Sequence, residues 1–241
     1  MKIDQYEVLQ INSTTWRIEG DISRAFLFLG KERAMLVDTT EGKGDLKKVV
    51  DTLSDPLPLL VVNTHADADH IGCNHHCDSG FMHPSEFSYY ALKAPEHAAV
   101  PVGIEEGEII DLGSRKFEVI PLPGHTCGSI ALLNREGRIL VAGDTILPSV
   151  FIFGEFRNLR ALIFSLEKLR DRFFGDFDVI YGSHHDYQIG REFILQELAC
   201  AKAHLEGSLQ GTDPGRIPLE PPDFRPAAAY TLDGSTLFDF A

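Results

Sequence analysis

Short apolar segments separated by turn-forming residues fill the first third of the chain. Residues 6–11, 15–19, 25–29 and 34–37 have the composition of strands, and Gly30-Lys31-Glu32 marks a turn before the last of them. The pattern predicts an antiparallel meander. After Gly42-Lys43-Gly44, Asp45 stands at the cap of a helix whose apolar positions Leu46, Val49, Val50 and Leu53 keep a helical period. Pro56 and Pro58 close that helix. The next segment, 59–63, is almost wholly apolar, as expected of a strand covered on both faces.

Farther along, residues 80–83 read as a short strand and 84–87 as a helix start, whereas 91–107, broken by Pro95 and Pro101, read as an irregular surface insertion or lid. The stretch 89–107 as a whole matches no interpretable pattern. Strand-like segments resume at 108–112, 116–122, 129–133 and 138–142. A long helix is predicted over 159–172, with Leu162, Ile163, Leu166 and Leu169 on one face, followed by a strand at 179–181 and a second helix at 192–206. Residues 211–226 are proline-rich and extended, and 228–230 with 236–240, joined across Asp233-Gly234, form a candidate hairpin. One large domain over 1–210 with an extension over 211–241, packed on the same body, is the organisation expected.

The candidate chemistry lies where apolar strands end. His65-Ala66-Asp67-Ala68-Asp69-His70 directly follows the predicted strand 59–63 and places four metal-ligand side chains in one short stretch. Packing acids and imidazoles so densely costs strong repulsion between the carboxylates unless a cation compensates them. The same grammar returns with Pro123-Gly124-His125-Thr126 after 116–122, with Gly143-Asp144 after 138–142, and with Gly182-Ser183-His184 after 179–181. Ligand sites of layered α/β proteins gather outside strand ends, so the four points can converge.

Charge and cysteine content narrow the function. A formal charge of -14 with no run rich in Lys or Arg disfavours nucleic-acid partners and leaves a small-molecule substrate as the expectation. No window is apolar for long enough to span a bilayer, and residues 1–5 lack the start of an export signal, so a soluble cytoplasmic protein without membrane partners is expected. Cys73, Cys77, Cys127 and Cys200 then read as reduced thiols, with Cys127 a small packed residue. Cys73, His75, His76 and Cys77 read as the start of a helix beside the site rather than a separate zinc cluster. The aromatic segment 150–156, including Phe153, is a pocket wall, core or a contact in a homo-oligomer. Arg157 either greets a substrate carboxylate or lies on a solvated helix face. His185 competes with its neighbour His184 as the last ligand, and the strand-Gly-x pattern favours His184.

At these residues the chain resembles the metallo-β-lactamase superfamily, whose signature is a His-x-His-x-Asp-His loop followed by a lone His, a lone Asp and a last His. The resemblance extends over about 25–186, including Leu36-Val37-Asp38-Thr39 and the segment from Pro123 to Ser129. It implies a four-layer αβ/βα sandwich of the α/β (α+β) class. It also implies two divalent metal ions, one held by His65, Asp67 and His125, another by Asp69, His70 and His184, with Asp144 between them. Asp69 would also orient an activated water. Zinc is the usual metal, but Asp67 stands in place of the second His, and this harder donor shifts preference towards iron or manganese. The implied activity is metal-dependent hydrolysis of a small ester, thioester, lactone or amide. A non-haem iron redox enzyme and a phosphodiesterase acting on a small phosphoester are the alternatives.

Overall fold

Alternation along the strands decides which layer each side chain joins. In the strand Arg24–Leu29, Phe26 and Phe28 enter a central apolar cluster while Ala25 and Leu27 enter a second cluster on the opposite face. Ala34–Val37 divides in the same way, Met35 and Val37 against Ala34 and Leu36. Neighbouring side chains point to opposite faces of a pleated strand, so a strand apolar at every position must be covered twice. Leu59–Val62 obeys this rule, with Val62 on the central side and Val61 on the other.

The computed structural model describes residues 1–54, 56–78, 80–213 and 228–239. Among them, an eight-stranded sheet holds its strands in chain order. Its early strands form the predicted antiparallel meander, and Ala34–Val37, Leu59–Val62, Phe81–Met82 and Val102–Gly103 continue it in parallel. A six-stranded sheet runs in the order Gln188–Gly190, Val179–Gly182, Ile139–Gly143, Ile130–Asn134, Lys116–Pro121, Ile109–Asp111. Phe117, Val119, Ile130, Leu132, Val141 and Tyr181 of this second sheet share the central cluster with Phe26, Phe28, Met35, Val37 and Val62 of the first. The two sheets therefore face each other.

Helices cover the outer faces. Leu46–Ser54 lays Leu46, Val49 and Val50 on the first sheet, and the Asp45 carboxylate caps it by accepting from the Lys48 amide at 3.0 Å. Leu159–Lys168 and Phe193–Leu205 cover the second sheet through Leu162, Leu166, Ile194 and Leu198. The result is helix, sheet, sheet, helix, the four-layer arrangement expected. The predicted helix over 159–172 changes character near its end, where Leu169–Phe173 is a π-turn. Ala228–Leu232 and Ser235–Asp239 form an antiparallel hairpin that joins Ser149–Phe151 in a third sheet against the helix Phe193–Leu205. Phe240 and most of the proline-rich stretch 211–226 lie outside the described residues. No helix among the described residues is long and apolar enough to cross a membrane.

Candidate metal centre

Parallel pairing puts strand ends side by side. Leu59–Val62 ends at the loop of His65, Asp67, Asp69 and His70, and Ile139–Gly143, paired parallel with Val179–Gly182, ends at Asp144 beside the loop of His184. His125 follows Lys116–Pro121 in the same sheet. Gly143 has a left-handed φ of +54°, and a Cβ there would lie 2.5 Å from Thr64 Oγ1, so this glycine lets the ends of the two sheets close together.

The sequence-predicted ligands gather into three overlapping sets: His65, Asp67 and His125; Asp69, His70 and His184; and His65, His70 and Asp144. Within each set the potential ligand atoms lie no more than 4.8 Å apart. His65 and His70 have ring centroids 4.0 Å apart, His65 and His125 4.8 Å, and His70 and His184 5.5 Å.

Each imidazole is tied back through Nδ1. His70 Nδ1 lies 2.8 Å from Asp38 Oδ2, His125 Nδ1 3.0 Å from the Phe151 carbonyl, and His184 Nδ1 3.0 Å from the Ile22 carbonyl. His65 Nδ1 meets Thr64 Oγ1 at 3.0 Å, and that hydroxyl donates its one proton to Asp38 Oδ2 at 2.8 Å. Thr64 must therefore accept from His65. All four rings carry Nδ1–H and turn Nε2 inward, the tautomer a metal ligand needs. Asp38, at a left-handed φ of +62°, thus orients two imidazoles at once.

Acids occupy the space between these nitrogens. Asp144 Oδ2 lies 3.0 Å and Asp69 Oδ2 3.3 Å from His184 Nε2, and His70 Nε2 is 3.4 Å from Asp144 Oδ1. Asp67 Oδ2 lies 3.0 Å from His125 Nε2 and 3.5 Å from His65 Nε2. Burial pushes the Asp144 carboxyl up, but the fields of His184 and His70 more than reverse this and hold it well below the usual carboxylate range. Burial likewise opposes the charge of Asp67, and the adjoining His125, His65 and Arg157 outweigh it and hold the carboxyl well below the usual carboxylate range. His184 shows the converse: burial disfavours its charge, yet Asp144 raises its pKa to about 10.

Several site neighbours were not read from the sequence. Tyr89, from the stretch without an interpretable pattern, donates to Asp67 Oδ1 at 2.6 Å and stacks on Phe156 with centroids 4.3 Å apart. Buried Glu86 accepts from the Ala66 amide at 2.8 Å and the Gly128 amide at 2.6 Å, binding the His65 loop to the loop after His125. Arg24 donates to the Gly182, His184 and His185 carbonyls at 3.1, 3.3 and 2.7 Å and so clamps the last loop. Ser23 Oγ donates to the Asp69 carbonyl. Asp38 itself follows an apolar strand, Ala34–Val37, and this was the signal that could have found it.

Arg157 and Cys127 depart from the sequence reading, whereas Phe153, His185 and the Cys73–Cys77 group fall within it. Arg157 lies on no solvated face: its side chain is 12% exposed and Nη2 sits 2.6 Å from Asp67 Oδ2. Phe153 is 1% exposed and packs edge-on against Phe151, which fits the core alternative for the aromatic segment. His185 is exposed and belongs to none of the ligand sets. Cys127 is not packed but exposed, its thiol donating to the Ser85 carbonyl at 3.1 Å. Cys73 is buried beside Tyr6, and among the described residues neither it nor Cys77, His75 or His76 joins a metal-ligand grouping.

The donor set fits divalent cations. His65 Nε2, His70 Nε2 and Asp144 Oδ1 are buried, point at one another's region and have no hydrogen-bond partner among the described residues, an arrangement that costs energy in a metal-free interior. A model described as the metallo-beta-lactamase superfamily matches residues 18–185. The chain is 26% identical over 231 residues to an acyl-coenzyme A thioesterase, MBLAC2, of Gallus gallus, covering 76% of this chain and 82% of that one. It is 31% identical over 127 residues to a hydroxyacylglutathione hydrolase of Pectobacterium carotovorum, covering 52% of this chain and 47% of the relative. Among solved structures, a metallo-beta-lactamase from Pontibacter korlensis superposes with a TM-score of 0.68 at 18% identity, over 82% of this chain and 99% of that one, and shows the shared fold. The chain belongs to the metallo-beta-lactamase superfamily and is a hydrolase.

Proposed function

We propose that this chain is a metal-dependent hydrolase of small thioesters, with related esters, lactones or amides as secondary substrates. The observation that carries the reading is the set of inward imidazole nitrogens, three of them on rings more than nine-tenths buried, facing the carboxylates of Asp67, Asp69 and Asp144. The thioester class is supported by two relatives of different kinds, one named for acyl-coenzyme A and one for hydroxyacylglutathione.

Bound divalent cations would lower the pKa of a water to about 7 and polarise the substrate carbonyl. His65, Asp67 and His125 would hold one, Asp69, His70 and His184 another, and Asp144, facing His70 and His184 together, would serve both. Asp69 is 23% exposed against 7% for Asp144, so it is the acid that can also accept a hydrogen bond from the attacking water and orient it. Asp38 keeps His70 and, through Thr64, His65 from turning away.

Asp67 favours a second reading for the metal. A carboxylate in place of an imidazole hardens the donor set, and iron or manganese then competes with zinc. Elemental analysis of protein purified without added metal, combined with hydrolysis assays on acyl-coenzyme A, acylglutathione and lactone panels, separates the readings. Metal-dependent thioester cleavage supports the proposal. An iron protein that consumes oxygen and cleaves no acyl compound would overturn it in favour of a redox enzyme.

A further inference from the structure

Arg157 is the one arginine or lysine whose ion pair reaches a candidate metal ligand among the described residues. Its Nη2 lies 2.6 Å from Asp67 Oδ2, the same oxygen that faces His125 Nε2 at 3.0 Å and His65 Nε2 at 3.5 Å. A cation entering between these imidazoles must share that oxygen with a guanidinium. Tyr89 takes Asp67 Oδ1 at 2.6 Å, so the carboxylate cannot turn to offer its other oxygen without losing that bond.

We propose that Arg157 opposes metal at the position formed by His65, Asp67 and His125, making the two metal positions of this chain unequal in affinity. The inference rests on the metal-centre reading above and extends it. A guanidinium keeps its charge at every working pH, and at 12% exposure water screens it poorly. The opposing charge therefore persists when the metal arrives. At the other position the ion-pair partners of Asp69 and Asp144 are histidines, His70 and His184 for both and His125 in addition for Asp144. Those partners are themselves candidate ligands, and among the described residues no arginine or lysine ion pair reaches either acid.

Arg157 is also held in place. Its amide donates to the Gly154 carbonyl at 3.4 Å. The next residue, Asn158, donates its amide to the Gly124 carbonyl at 2.8 Å and caps the helix Leu159–Lys168 by accepting from the Ala161 amide at 2.9 Å. Arg157 thus stands on the segment before the helix Leu159–Lys168, which the Asn158–Gly124 bond ties to the loop that carries His125. The charge count agrees with this role. Asp67 adds a negative charge where the superfamily's usual histidine adds none, and Arg157 restores the balance from outside the ligand set.

The test is calorimetric titration of the metal-free protein with zinc, in the presence of a competing chelator, for the native chain and for R157Q. The native chain should bind one zinc tightly and a second at least about tenfold more weakly. R157Q should tighten the weaker class by about tenfold or more and leave the tighter class nearly unchanged. R157K, which keeps the charge, should retain the native inequality. R157M, which keeps the buried aliphatic stem, replaces R157Q if the glutamine variant melts early by circular dichroism. Two native sites of equal affinity, or a weaker class that R157Q and R157M leave unchanged or weaken further, would overturn the inference while leaving the metal centre standing. An R157K profile matching R157Q would also overturn it, because charge would then not be the cause. Absence of zinc binding in every variant would overturn the metal-centre reading itself.

Discussion

The two candidate metal positions use the same residue types but are held by different parts of the chain. Asp69, His70 and His184 are fixed from the N-terminal meander, through Asp38, the Ile22 carbonyl, Ser23 and the Arg24 clamp. His65 shares in this support by way of Thr64. Asp67 and His125 are instead bordered by Tyr89 of the short helix Phe87–Lys93, by Arg157 ahead of the helix Leu159–Lys168 and by the carbonyl of Phe151, the last residue of the strand Ser149–Phe151. One position rests on sheet edges and buried hydrogen bonds. The other rests on elements outside the two facing sheets: a short helix, the third sheet and the segment before Leu159–Lys168.

If the comparison holds, damage to the sheet-anchored position should matter most. H70A removes a candidate ligand facing both Asp69 and Asp144, and it should reduce the proposed thioester cleavage by about 10³-fold, as expected when electrostatic support for the reaction is lost. Steady-state kinetics at saturating zinc would check this. A residual rate near that of the native chain would place the chemistry elsewhere.

D38A leaves every ligand in place and frees the His70 ring and, through Thr64, the His65 ring. Loss of such a support costs about 10–100-fold in metal affinity. Chelator competition should show that loss, while D38N, which keeps one carbonyl acceptor, should lose less. D67H sharpens the other half of the comparison. It should keep the fold and shift the metal recovered from cells towards zinc, as measured by elemental analysis. Unchanged metal content and activity would put Asp67 outside the coordination shell.

The smallest effect concerns pH. In the metal-free protein, His184 gains a proton from its position beside Asp144, with its pKa raised from 6.5 to about 10. A histidine whose folded pKa lies above its unfolded value contributes stability that is fully present below the unfolded pKa and is lost as pH rises through the folded one. Melting temperature of the metal-free chain should therefore fall between pH 6.5 and about 10, and zinc, which takes the place of the proton, should flatten that slope. A metal-free chain equally stable across this range would mean that Asp144 and His184 are not coupled.

Strand ends made most of this architecture legible. Period-two and fully apolar runs located the meander and the strand Leu59–Val62 because burial on one or both faces leaves a pattern in the sequence itself. The candidate ligand side chains share one local grammar, apolar strand followed at once by His or Asp, and the structure brings them together. Tyr89, Glu86 and Arg157 carry no such mark. Each acts across a long sequence separation, Arg157 on Asp67 and Glu86 on Gly128, so their roles arise only when separate loops are packed side by side. Arg24 and Arg157 show the same limit from another direction: an arginine in sequence reads as solvated until the fold buries it against carbonyls or a carboxylate. Glu197 is a further case, a fully buried acid inside a helix that the pattern reads as amphipathic.

A crystal structure of the zinc-soaked protein with anomalous data at the zinc edge tests the central claim most directly. The account predicts density between His65, Asp67 and His125 and between Asp69, His70 and His184, with Asp144 facing both and the second peak the fuller at limiting zinc. Density only at surface histidines or beside Cys73 and His76, with these imidazoles left uncoordinated, would contradict it.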